Sequence, residues 1–143
     1  MSPLEILAIV AALIGGPLVF VGLWVGVCWL LALVGGWSGL AKRYATDKPE
    51  PFGAESVNAM LGVTSYRGVL SVGFAEDGLD LRTMMLFRAG HPPLRIPWAE
   101  VRVEGEGPWM LFGRATSLRL GAGGPVLRLP SKVWARAQGV RPG

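Results

Sequence analysis

The hydrophobic pattern of this chain predicts a mainly β protein with an N-terminal transmembrane helix. Its folded part should be a small antiparallel barrel of roughly six to seven strands, closed by a short C-terminal helix. Three observations predict it. Ile6 to Val34 is a run of 29 residues with no charged side chain. Beyond Ser56 the apolar residues recur with period two, in short runs separated by Gly, Pro and Asp turns. The last run leads into Ser131 and a short segment of helical composition.

The overall 51% hydrophobic content averages two populations. Residues 1–41 carry a single charge, Glu5, whereas residues 42–143 have ordinary globular composition with 23 charges. This excludes collagen-like, disulfide-scaffold and wholly disordered classes, and leaves no room for a multidomain enzyme. The expected division is a tail and transmembrane helix over 1–35, a juxtamembrane connector over 36–55, and a β-barrel domain with its C-terminal helix over 56–143.

The apolar run could span about 43 Å as a helix, against a hydrocarbon layer of about 30 Å. One span has length to spare, and two do not fit. Gly15, Gly16 and Pro17 inside the run suggest either a kink or a helix that starts near Pro17. The run is longer than that of a cleaved signal peptide, and no Lys or Arg precedes it. Lys42, Arg43 and Lys48 follow it. The positive-inside rule then predicts a single-pass protein of the inner (plasma) membrane, with its N-terminus outside and its domain cytoplasmic. Trp29 and Trp37 are candidates for an interfacial aromatic belt. The lone Cys28 lies in the run, where it can form no internal disulfide. Gly22 and Gly26 match the small-xxx-small spacing of packed membrane helices and are candidate helix-packing residues, which would allow a homodimer.

In the connector, Trp37, Leu40, Ala41 and Tyr44 recur at helical spacing and should lay an apolar stripe on headgroups or on the domain. Pro49 and Pro51 end that segment. Leu70, Val72 and Phe74 alternate as a strand, Glu76-Asp77-Gly78 is a hairpin signal, and Leu79 and Leu81 continue on the return strand. That strand is expected to run on through Thr83–Phe87, buried on both faces. Gly90–Pro93 reads as a loop, and Leu94–Ile96 as a short strand ended by Pro97. Val101 and Val103 alternate, Gly105–Pro108 reads as a turn, and Trp109–Phe112 as an apolar strand. Leu118 and Leu120 flank Arg119, Gly121–Gly124 turns the chain, and Leu127 and Leu129 flank Arg128. Ser131 is the expected N-cap of a helix over 132–138, with Val133 and Trp134 plugging the barrel.

Gly78–Leu81, Phe87-Arg88 and Gly90-His91-Pro92-Pro93-Leu94-Arg95-Ile96-Pro97-Trp98 resemble a motif of small uncharacterised bacterial single-pass membrane proteins. Gly36–Tyr44 resembles their juxtamembrane segment. The Pro-Pro-Leu-x-Ile-Pro-Trp-x-x-Val stretch is also similar to a strand and turn in bacterial domains of pleckstrin-homology or GRAM-like fold. The resemblance covers about residues 36–130. It implies a seven-stranded barrel capped by a helix, with an adaptor or membrane-proximal role and no established chemistry.

Read for chemistry, the residues offer little. His91, the sole histidine, has no Cys, Asp, Glu or second His at ligand or catalytic spacing, and should hydrogen-bond backbone carbonyls in its turn. Glu76, Asp77 and Asp80 lack the spacing of a calcium loop and read as a solvated hairpin turn. Glu104 and Glu106 sit in a Gly-rich segment with no apolar setting. No metal, cofactor or catalytic residue is expected. Charge is more informative, because every acidic residue precedes position 107. Arg114, Arg119, Arg128, Lys132, Arg136 and Arg141 then form a basic final third. With Lys42 and Arg43, the first five of these are the candidate contacts for the membrane, for anionic lipid or for a protein partner. The other reading of these charges is a solvated face. Nucleic acid is not expected, since the cations are not interleaved with exposed aromatics. The expected function is a non-enzymatic, membrane-anchored interaction module. The alternatives are an accessory subunit of a larger membrane complex, or a small enzyme using His91.

Overall fold

The computed structural model describes residues 1–109 and 113–140. Helix α1, Pro3–Gly35, opens on a capping box. The Glu5 amide donates to the Ser2 hydroxyl at 3.2 Å, and the Ser2 amide donates to the Glu5 carboxylate at 3.0 Å. Pro3 sits in the first turn, where its missing N–H costs no helical bond. The helix runs through Pro17 without a break, so it does not start there. It is long and apolar enough to cross a membrane, and its most apolar 18-residue window is wholly unburied.

Gly36, with φ +89°, ends α1 and begins α2, Trp37–Tyr44. This left-handed conformation suits glycine, and a Cβ there would lie 3.0 Å from Pro125. Trp37, Leu40 and Tyr44 are buried in the core of the domain. The connector's stripe therefore packs on the domain rather than on headgroups, and Trp37 is not an interfacial belt residue.

Seven strands follow: β1 Glu55–Leu61, β2 Thr64–Ala75, β3 Gly78–Thr83, β4 Leu94–Pro97, β5 Val101–Trp109, β6 Gly113–Leu120 and β7 Val126–Pro130. They form one antiparallel sheet in the order β4-β3-β2-β1-β7-β6-β5, curled as a half-barrel. The period-two residues face inward as expected: Leu70, Leu79, Leu81, Leu94, Ile96, Leu118, Leu120, Leu127 and Leu129 are fully buried. Ala75 pairs with Gly78, so the β2–β3 hairpin closes over Glu76 and Asp77. The chain then closes the sheet with α3, Ser131–Trp134, and a 3-10 turn, Ala135–Gly139. Val133 and Trp134 are buried, and the Trp134 ring lies 6.1 Å from Phe74 and 6.2 Å from Trp98.

Four local expectations are corrected. The return strand β3 ends at Thr83, and Met85–Phe87 forms a 3-10 turn with no buried residue. Gly105–Pro108 is not a turn, because β5 continues through it to Trp109. A register shift between Val103 and Gly105 absorbs the extra residue. Ser131 is the first residue of α3 rather than its cap, and its hydroxyl meets the Thr116 hydroxyl at 2.9 Å. Asp80 is not in a solvated turn: it is fully buried on β3. Of the expected Trp109–Phe112 strand, Trp109 ends β5, and residues 110–112 lie outside the described residues, as does Arg141.

Candidate functional site

The most developed constellation lies where α1 meets the sheet. Cys28, Ala32 and Gly35, at spacings of four and three, are the buried residues of α1. Gly35 permits a close approach. A Cβ there would come within 2.6 Å of the Thr64 hydroxyl and 3.1 Å of the Leu61 carbonyl. The Thr64 hydroxyl donates to the Leu31 carbonyl at 3.4 Å. The surplus length of the apolar run is thus used to fasten the helix to the β1–β2 turn.

Beside this contact three aromatic rings pack together. Trp37 lies 5.9 Å from Tyr66 and 5.1 Å from His91, and Tyr66 meets His91 edge-on at 5.7 Å. The Trp37 indole donates to the Pro92 carbonyl at 3.0 Å. His91 Nδ1 lies 3.0 Å from the Ala89 carbonyl, which requires a proton on Nδ1. Nε2 is then the acceptor for the Tyr66 hydroxyl at 2.9 Å. His91 is 1% exposed. Burial pushes its imidazole below its ordinary value and pushes the Tyr66 phenol above its own. His91 does fix its turn through a backbone carbonyl, and it also has a side-chain partner 25 residues away that spacing could not reveal.

Between Thr83 and His91 the chain leaves the sheet and folds against α1. The Trp24 indole donates to the Leu86 carbonyl at 2.6 Å, and its ring packs on Phe87 at 5.0 Å. Phe20, Val21, Trp24 and Val25 of α1, with Met85, Leu86 and Ala89, line an apolar cleft of about 540 Å³. Met85 is 79% exposed and Leu86 69%.

A second cluster joins β3, β4 and the connector. Asp80 accepts from Arg82 at 2.7 Å and from Arg95 at 3.0 Å. Asp77 accepts from Lys48 at 2.5 Å and from Arg95 at 2.7 Å. Arg82 and Arg95 also donate to the Lys48 and Pro49 carbonyls. Both carboxylates and both guanidinium groups are partnered, so this network is a clasp that holds the connector to the sheet.

The predicted basic residues divide into three groups. Lys42 and Arg43 are exposed on α2, beside the end of α1, with Arg43 over the Tyr44 ring. Arg114, Lys132 and Arg136 come together around a groove of about 680 Å³ lined also by Glu55, Trp109 and Ser131. This groove lies at the opposite end of the β6–β7 hairpin from the Gly36–Pro125 contact, about 20 Å along the strands. Arg114 pairs with Glu106 at 2.8 Å, which holds that carboxyl below its ordinary value, and Arg136 pairs with Glu55. Lys132 has no ion-pair partner among the described residues. Arg119 pairs with Glu104 and Arg128 covers Trp109 while donating to the Pro108 carbonyl, so these two serve the sheet. Gly22 and Gly26 have open space where a Cβ would stand. Two positions to either side of Trp24, they lie on the face of α1 turned away from the loop.

Among the described residues, no group of His, Cys, Asp and Glu is arranged to hold a metal ion. No family model, curated protein or solved structure matches the chain.

Proposed function

We propose that this chain is a single-pass, membrane-anchored, non-enzymatic interaction module of pleckstrin-homology-like architecture. Its domain is held at the cytoplasmic face of the inner membrane. There it docks a protein partner or anionic lipid headgroups. One observation carries the reading: α1 presents apolar side chains to its surroundings over most of its length, while Cys28, Ala32 and Gly35 near its end are locked into the sheet. An exposed apolar helix of 33 residues needs a lipid environment, and its rigid junction keeps the domain at the bilayer. Lys42 and Arg43, exposed beside that junction, support contact with anionic headgroups and the cytoplasmic orientation. The groove of Arg114, Lys132 and Arg136 faces away from that end of the domain and supports an acidic protein partner.

Full-length protein in lipid nanodiscs tests both halves. Lys42→Gln with Arg43→Gln should weaken attachment to anionic lipid, read as a smaller salt-dependent shift in headgroup contacts by NMR. Crosslinking in the native membrane should capture a partner that Lys132→Glu loses and Lys42→Gln keeps. Failure of Lys132→Glu to change the captured set would remove the groove from the proposal. A cysteine at position 2 that reacts with reagent only from the cytoplasmic side would overturn the orientation.

A second reading, an accessory subunit or homodimer packed through α1, is favoured by the open Gly22–Gly26 face. A monomeric mass after gentle solubilisation would argue against it.

A further inference from the structure

We infer that the β3–β4 loop, residues 84–89, is a second membrane element: a short wedge that enters the acyl-chain region beside α1 and seats a phospholipid acyl chain in the cleft between them. The inference rests on the proposal that α1 crosses a bilayer.

Three independent features carry it. The first is side-chain polarity. Met84, Met85 and Leu86 project outward from a turn that buries none of them. Three large apolar side chains exposed in succession form a contiguous patch of the kind that marks a partner or membrane contact.

The second is the backbone. A loop in hydrocarbon is tolerated only when its polar groups find partners in the protein. Here the Met84 amide donates to the Val69 carbonyl at 2.9 Å. The carbonyls of Met84, Met85 and Arg88 accept from the amides of Phe87, Arg88 and His91. The Leu86 carbonyl, at the tip, accepts from the Trp24 indole, and the Ala89 carbonyl from His91 Nδ1. Apolar side chains face out while the carbonyls of Met84, Met85, Leu86, Arg88 and Ala89 are satisfied within.

The third is depth. Leu86 lies level with Trp24, eleven residues before Gly35 and so about 17 Å up the helix axis. Below that level Val27, Leu30, Leu33 and Val34 are still exposed. A hydrocarbon layer of about 30 Å takes about 20 helical residues, and counted from Ile6 it reaches Val25, level with the loop tip, so it covers Met85 and Leu86. The cleft opens onto the same surface, and Phe20, Val21, Trp24 and Val25 line it without an ionisable group. That chemistry suits a hydrocarbon chain. Arg88, near the end of the loop, is exposed and donates from Nε to the Thr83 carbonyl at 3.4 Å, and its long side chain can snorkel toward a headgroup phosphate.

Depth-dependent quenching in the full chain tests this. In a Cys28→Ala background, single cysteines at Leu86, Leu13 and Phe52 are labelled with an environment-sensitive fluorophore. Each protein is reconstituted into phosphatidylcholine–phosphatidylglycerol vesicles with nitroxides on the acyl chains or on the headgroups. The Leu86 label should be blue-shifted and lose fluorescence mainly to acyl-chain nitroxide, as the Leu13 label does, whereas the Phe52 label should be quenched by aqueous iodide. A Leu86 label quenched by iodide, with Leu13 still quenched from the acyl chains, overturns the wedge and leaves the span standing. A Leu13 label quenched by iodide overturns both. A label on Met85 repeats the reading if the Leu86 variant fails to fold.

Discussion

The Trp24 indole donates to the Leu86 carbonyl at 2.6 Å, joining two residues 62 positions apart on the helix and on the β3–β4 loop. A tryptophan on an exposed apolar helix needs a partner for its one donor, and a carbonyl at a loop tip needs a donor. Each meets the need of the other, so this bond fixes the angle between α1 and the loop.

Trp24→Phe should keep the ring contact with Phe87 and leave the Leu86 carbonyl unpaired. Its expected cost is about 1–3 kcal/mol. Hydrogen exchange should rise at the Phe87 and Arg88 amides, which close the 3-10 turn, and stay unchanged in β6 and β7.

The Tyr66–His91 pair makes stability depend on pH. The folded chain holds His91 neutral, with its pKa below the ordinary 6.5. The unfolded chain takes up a proton as the pH falls below about 6.5, and the folded chain does so only at lower pH. Stability should therefore be full above that value and decline on acidification, until the folded pKa is reached. Denaturant midpoints at pH 7.5 and pH 5 measure the slope, and His91→Gln should remove it. Tyr66→Phe strands Nε2 without a donor and should cost about 1–3 kcal/mol at neutral pH.

The Asp80 clasp should be far more sensitive than its exposed neighbour. Asp80→Ala leaves Arg82 and Arg95, whose side chains are 12% and 10% exposed, without their buried partner. A loss of about 3–5 kcal/mol is expected, read as a lower urea midpoint. Lys48→Ala, which opens only the exposed Asp77 pair, should cost under about 1 kcal/mol. Hydrogen bonds from Lys48 and then Arg95 hold the Asp77 carboxyl down to about 2, below its ordinary 3.8. Its contribution is complete above that ordinary value and should fade as the pH falls through about 2.

Glycines on opposite sides of α1 should behave oppositely. Gly35→Ala drives a methyl against Thr64 and the Leu61 carbonyl. It should destabilise the junction by about 1–3 kcal/mol, measured as a lower Tm in detergent. Gly22→Leu and Gly26→Leu meet open space within the chain and should leave Tm unchanged. If α1 self-associates through that face, the double variant should be monomeric by light scattering.

Much of the fold was legible in local pattern. An uncharged run of 29 residues determines a long apolar helix by length alone, although Gly15, Gly16 and Pro17 left its start open. Alternation at Leu70–Phe74, Leu79–Leu81, Leu118–Leu120 and Leu127–Leu129 determines strands whose inner face is apolar, and Pro97 ends an edge strand. These are properties of period and composition, readable within about ten residues. The candidate site was not legible in this way. Asp80 reads as one acid in a turn until β3 pairs with β4 and sets it beside Arg95. His91 has no side-chain partner until β2 brings Tyr66 to it. Met84–Phe87 is apolar on every side, and period cannot tell a buried strand from an exposed apolar loop. Only the fold of the chain back onto Trp24 decides it. The basic third was visible as a count, but its division between sheet-bound arginines and an open groove depends on which acids β5 and β1 carry opposite them. Local pattern determined that this protein has one apolar helix and one curled sheet. Tertiary structure decided where they are joined and which apolar side chains stay exposed, because both depend on contacts between residues dozens of positions apart.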